Sequence, residues 1–142
     1  MNKNQKGREG KNTLQSERGA AAVEFALILP ILATLVFGII DFGILLWNQE
    51  ILVNAAREGA RQGALFTGGA PAADVQAVVT QAVSDGGVST AGLSVSVTGQ
   101  GGAFGTPLTV NAAIPWNFMV IDKLVPGANV TQLQAAVTMM NE

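Results

Sequence analysis

The sequence predicts an α+β protein: a long N-terminal transmembrane helix followed by a small extracytoplasmic head, with a short helix lying on a three-stranded antiparallel sheet. Three observations predict it. A mostly apolar stretch long enough to cross a bilayer lies near the N-terminus, a period-3.6 apolar stripe follows a Gly/Pro break, and the remaining third alternates apolar and polar residues.

The first 19 residues, MNKNQKGREGKNTLQSERG, hold five of the chain's eight basic residues (Lys3, Lys6, Arg8, Lys11 and Arg18) against Glu9 and Glu17, a net +3. Their one large apolar residue is Leu14, too little apolar surface to drive ordering, so this segment reads as a flexible, hydrophilic leader. Residues 20–142 hold Arg57, Arg61 and Lys123 against eight acids.

Residues 20–47 read as the transmembrane helix. A hydrocarbon core about 30 Å thick needs about 20 mostly apolar helical residues. Ala20 to Ile40 supplies 21 and Phe25 to Trp47 supplies 23. The basic flank predicts residues 1–19 in the cytoplasm and the rest of the chain outside, and Trp47 stands where an interfacial aromatic belongs. The apolar block exceeds the 7–15 residues typical of a secretory signal core. Three residues interrupt it. Pro30 removes one rung of the ladder, Asp41 reads as an outer-interface residue, and Glu24 carries a charge that is costly near lipid.

Residues 48–66 continue the helix. Apolar or small residues recur at 51, 52, 55, 56, 59, 60, 63 and 64. Within that stripe Ala55, Gly59 and Gly63 are spaced four apart, which allows close packing on another helix or on the chain's own sheet. Arg57 and Arg61 share one face near Glu50 and Glu58. They read either as a solvated surface or as intersubunit salt bridges, in which Asp41 or Glu50 of a neighbour would take part.

Residues 67–142 form the head. Thr67 to Pro71 reads as a break. Ala72 to Ser84 carries Val75, Val78, Val79, Ala82 and Val83 on one face, with Asp74 in the first turn and Asp85-Gly86-Gly87 ending the helix. Leu93, Val95 and Val97 alternate with Ser94, Ser96 and Thr98. Leu108 and Val110 alternate with Thr109 and Asn111, and residues 132–140 supply a third strand. The Gly-rich 99–105 segment reads as a hairpin loop. Phe104, Trp116, Phe118 and Met119 read as core, strand-edge packing or a partner-facing patch.

The composition argues against most chemistry. The chain has no Cys and no His, which excludes thiol nucleophiles, disulfides and His-based acid–base catalysis. No Tyr and 6% aromatics leave no stacking platform for nucleic acid. The Gly-rich loop lacks the Lys-Ser/Thr of a P-loop, and Asp74, Asp85 and Asp122 lack calcium-loop spacing. No enzyme, no cofactor, no metal and no small-molecule substrate are expected.

Arg18-Gly19-Ala20-Ala21-Ala22-Val23-Glu24-Phe25-Ala26-Leu27 resembles the processing site of prepilins of the tight-adherence (Flp) pilus system. In that family a prepilin peptidase cuts after the Gly, and the fifth mature residue is Glu, followed by an aromatic. Gly19 would then end the leader, Ala20 would become the new N-terminus, and Glu24 and Phe25 would be the fifth and sixth mature residues. Pro30, Gly-Ile-Ile-Asp-Phe-Gly at 38–43 and Asn-Ala-Ala-Arg-Glu-Gly-Ala-Arg at 54–61 are similar to the TadE-like family of minor pseudopilins. The resemblance covers residues 18–63. The family's major pilins are much shorter, so a chain of this length fits a minor subunit. The resemblance implies a pilin-like lollipop, pairing of Glu24 with the freed amine, and partnership with the prepilin peptidase, other minor pilins, the assembly platform and membrane lipid. The competing expectation is a single-span anchored binding protein that is never polymerised.

Overall fold

The computed structural model describes residues 6–65, 72–124, 127 and 132–142, in the order α1 (Lys6–Ala64), α2 (Ala72–Asp85), β1 (Ser94–Thr98), β2 (Pro107–Pro115), α3 (Ile121–Leu124) and β3 (Gln132–Met140). The predicted break at Thr67–Pro71 lies outside the described residues. Two compact units divide the chain, residues 1–39 and 40–142.

The first unit is helical from Lys6 onward. Within α1, residues 17–64 form one helix long and apolar enough to cross a membrane. Val23, Phe25, Leu27, Ile28, Ile31, Leu32 and Leu35 are all exposed, so the apolar surface runs round the whole circumference rather than along one stripe. A helix apolar on every side suits lipid and not water. Pro30 lies inside the helix, and Thr34 Oγ1 donates to Pro30 O at 2.8 Å. Helix also extends back through residues 6–19, where the composition predicts a flexible leader. The reason is local: adding a residue to an existing helix gains a hydrogen bond without the nucleation cost, and needs no burial.

In the second unit the C-terminal part of α1 supplies one wall of the core. Leu52, Ala55, Ala56, Ala60 and Ala64 are buried, the i, i+3, i+4, i+8, i+12 spacing of one helical face. The amphipathic α2 buries Val75, Val79 and Val83 in the same core. Its end is a Schellman motif: Val88 N donates to Val83 O (3.2 Å), Gly87 N donates to Ser84 O (2.9 Å), and Gly87 takes φ +78°.

The sheet is an antiparallel meander in the order β1-β2-β3. Ser94 faces Ala113 and Thr98 faces Thr109 across the first pair, while Pro107 faces Met140 and Pro115 faces Gln132 across the second. Both prolines sit at the ends of the central strand, where a missing N–H is tolerated. Leu108, Val110, Ala112 and Ile114 of β2 and Leu133 and Ala135 of β3 are buried. The opposite face carries Ser94, Ser96, Thr109, Asn111, Gln134 and Thr138, with Thr109 and Thr138 bonded through their hydroxyls at 2.9 Å. The α+β class, the short helix and all three strands are therefore as the sequence predicts.

Candidate functional site

The residues singled out by the sequence fall into four groups, and the structure places each differently. Gly19, Ala20, Glu24 and Phe25 lie on α1 in the first unit and are exposed. Nothing stands within 4 Å of the position a Cβ would take on Gly19, so the backbone there is open to approach. Ala20 and Glu24 are one helical turn apart. Residues four apart share a helical face, so Ala20 and Glu24 lie on the same side of α1.

Asp41 is 2% exposed. Its Oδ2 accepts hydrogen bonds from Val120 N (2.9 Å) and Ile121 N (3.0 Å), amides at the start of α3. The next residue, Phe42, stacks at an angle on Phe118, with ring centroids 5.5 Å apart. Asp41 thus caps a turn of its own chain, whereas the sequence reads it as an outer-interface residue or as the partner of a neighbour's arginine. Two N–H donors converging on one oxygen satisfy the carboxylate locally, without a cation.

Ala55, Gly59 and Gly63 lie on the buried face of α1. The close approach their spacing predicts is made within the chain. A Cβ on Gly59 would collide with Val79 Cγ2, and one on Gly63 would stand 2.9 Å from Leu108 Cδ2 and 3.1 Å from Val75 Cγ2. The small residues therefore seat α2 and β2 against α1.

Arg57 and Arg61 occupy the exposed face. Arg61 grips Glu58 with two bonds, Nε to Oε2 at 3.0 Å and Nη2 to Oε1 at 2.6 Å, and Gln62 adds a third at 3.3 Å. The guanidinium and the amide hold the Glu58 carboxyl below the usual glutamate range, and the carboxylate in turn raises Arg61. Arg57 donates to Asn54 Oδ1 at 3.3 Å. The partners the structure gives these two arginines are on their own helix.

Sequence reading missed Asn141. It is buried, and its Nδ2 donates to Gly99 O and to Thr106 Oγ1, both at 2.9 Å. Its backbone continues the ladder, with Asn141 N donating to Thr106 O and Gly105 N to Asn141 O. The residue after it, Glu142, donates its N–H to Ala64 O at 3.0 Å and so covers a carbonyl at the end of α1. The only hint in the sequence is a polar residue directly after an apolar strand. Among the described residues, no group of three or more acids is placed to hold a metal ion.

Among the described residues, one N-terminal helix long and apolar enough to cross a membrane precedes a small α+β domain, an arrangement consistent with a single-pass membrane protein. The family model of TadE-like proteins matches residues 19–61, from the glycine at the resembled cut site through Arg61. This is the family of the tight-adherence pilus system that the sequence resembles, and the match associates the chain with such pili. No curated protein and no solved structure matches the chain.

Proposed function

We propose that this chain is a minor pilin or pseudopilin of a tight-adherence (Flp-type) pilus, cut after Gly19 by a prepilin peptidase and acting in pilus assembly or initiation. The observation that carries this reading is the TadE-like match, which begins at Gly19 and covers the motif with Glu24 and Phe25 in their expected places. Before cleavage the chain sits in the inner membrane with its leader in the cytoplasm and its head outside, as the net +3 of residues 1–19 directs.

The physical chemistry is consistent. Glycine is about 1 kcal/mol less favourable than alanine inside a helix, so Gly19 weakens the ladder where the peptidase must reach the backbone. Cleavage removes five cations and leaves an ammonium on Ala20. That charge lies one helical turn from Glu24, and pairing the two offsets the desolvation of both. The partners are the peptidase, other minor pilins, the assembly platform and lipid. The role is structural rather than enzymatic.

The test is the N-terminal residue and intact mass of the protein from native membranes, beside a Gly19→Ala control. The proposal requires a chain beginning at Ala20, with processing lost in the control. A chain beginning at Met1 in both would leave a single-span anchored binding protein and end the pilin reading.

A further inference from the structure

We infer that Phe104 seats in a pocket on a second copy of this chain, between the end of α1 and the end of β3, and that the contact is reciprocal. The inference uses residues of the second unit alone and stands apart from the pilin reading. The knob is built by a tight turn. Gly105 takes φ +77° and Thr106 N donates to Ala103 O at 2.9 Å, as in a type II turn with Phe104 at its corner. Thr106 Oγ1 donates to the same carbonyl at 2.6 Å. Two further bonds pin the turn to the end of β3, Gly105 N to Asn141 O at 2.8 Å and Asn141 N to Thr106 O at 2.9 Å. Turns ordinarily carry Gly, Pro or small polar residues, yet this corner holds a ring that is 87% exposed, the most open among the described aromatic residues. A ring carried on a pinned turn has little backbone freedom left to lose on binding.

The seat lies at the same end of the head. Met140 and Glu142, the neighbours of Asn141, line an open pocket of about 260 Å³ with Arg61, Ala64, Leu65 and Met139. Leu65 is 45% exposed and Met140 60%, so its apolar walls face water. The lining suits an aromatic ring. Thioethers make favourable contacts with ring edges, and a guanidinium is attracted to a ring face. The Arg61 guanidinium is already held in place by its two bonds to Glu58.

Each chain thus carries both a ring and a seat, close together, and the contact needs no second kind of partner. A two-fold axis between two heads lets each ring enter the other's pocket, an isologous contact that closes on itself. Two rings bury about 150–250 Å² each, and with their seats about 600–1,000 Å² in total. That lies below the roughly 1,200 Å² at which stable interfaces begin, so the pair is transient and is read by trapping it.

The test uses the full chain in detergent with Phe104→p-benzoylphenylalanine, which keeps an aromatic ring at the corner and crosslinks on irradiation to whatever it touches. Mixing isotope-labelled and unlabelled chains separates crosslinks between chains from those within one. The expected product is a covalent dimer joined between chains at Met139 or Met140. Its yield should fall several-fold when Leu65→Glu or Met140→Glu is added at the same protein-to-detergent ratio. Both positions are exposed, so the charge spoils the seat without entering the core. Crosslinks confined to one chain overturn the contact. Dimers joined through the apolar part of α1, or undiminished by either glutamate, report only chains sharing a micelle and overturn it as well. Phe66 follows Leu65 and lies outside the described residues. A crosslink that appears only with Phe66→Ala would give the seat to the chain's own residue 66 and overturn the inference too.

Discussion

Gly59 on α1 lies so close to Val79 on α2 that the smallest side chain would strike the valine's Cγ2 methyl. The second methyl cannot turn away cheaply, because a β-branched side chain in a helix has one favoured rotamer. Gly59→Ala gains about 1 kcal/mol of helix propensity and loses about 1–3 kcal/mol to overpacking, for a net loss of up to about 2 kcal/mol. Gly43→Ala meets nothing within 4 Å and should keep the propensity gain. Thermal unfolding in detergent, followed by tryptophan fluorescence, should show the midpoint falling in the first variant and rising in the second. Equal shifts would mean that the two helices are not in contact at Gly59.

Asp41 holds the start of α3 through two amides. Asp41→Ala should speed hydrogen exchange at Val120 and Ile121 several-fold while leaving β2 protected. Asp41→Asn keeps one acceptor and should fall between the two. Unchanged exchange in the alanine variant would show that the Phe42–Phe118 stack fixes the segment without the carboxylate.

Asn141 latches the β1–β2 hairpin to the end of β3 through its amide nitrogen. Removing it leaves Gly99 O without that donor, so Asn141→Ala should cost about 1–3 kcal/mol in chemical denaturation. Asn141→Asp should be worse at neutral pH, since it sets a carboxylate oxygen against a carbonyl. Burial and that carbonyl raise the new acid's folded pKa above its unfolded value, so the folded state holds the proton longer. Stability should then decline as pH rises from the unfolded pKa to the folded one, and level off above it. A variant indifferent to pH would place Asn141 in water.

Glu58 accepts from Arg61 and Gln62 on an exposed helical face. Because its folded pKa is lowered, any stability it adds is present above the unfolded glutamate pKa and is lost as pH falls through the folded one. Exposure keeps that contribution small, and salt should weaken it further. A titration followed by NMR should find Glu58 below the ordinary range, and Arg61→Gln should move it back up. No movement would show that the pair does not persist in solution.

Much of this architecture was legible because it is written in short-range patterns. The alternation of Leu108, Val110, Ala112 and Ile114 marks the inner face of β2, and Val75, Val79 and Val83 mark that of α2. The fourfold spacing of Ala55, Gly59 and Gly63 predicted close packing before its partners were known. Long-range partners left no such trace. Asp41 and its amides are 79 and 80 positions apart, and an aspartate at the end of an apolar helix looks interfacial whatever binds it. Asn141 was hidden for the same reason, since a hairpin latch depends on register rather than on composition. Helix in the leader leaves no trace in apolar content, because it can grow from its neighbour without burying surface.

Each outer strand of the sheet also receives a glutamine from a helix: Gln76 Nε2 donates to Val95 O on β1 at 3.2 Å, and Gln49 Nε2 donates to Gln134 O on β3 at 2.8 Å. An unpaired strand rim is a template on which another chain can crystallise. Anchored proteins share a two-dimensional space, where heads meet far more often than they would in bulk solution, and a sticky rim there would seed irregular clumps. With a side-chain amide already seated on each rim, incoming strands find an acceptor taken on either side. Both outer strands are thereby made poorer templates for a passing chain.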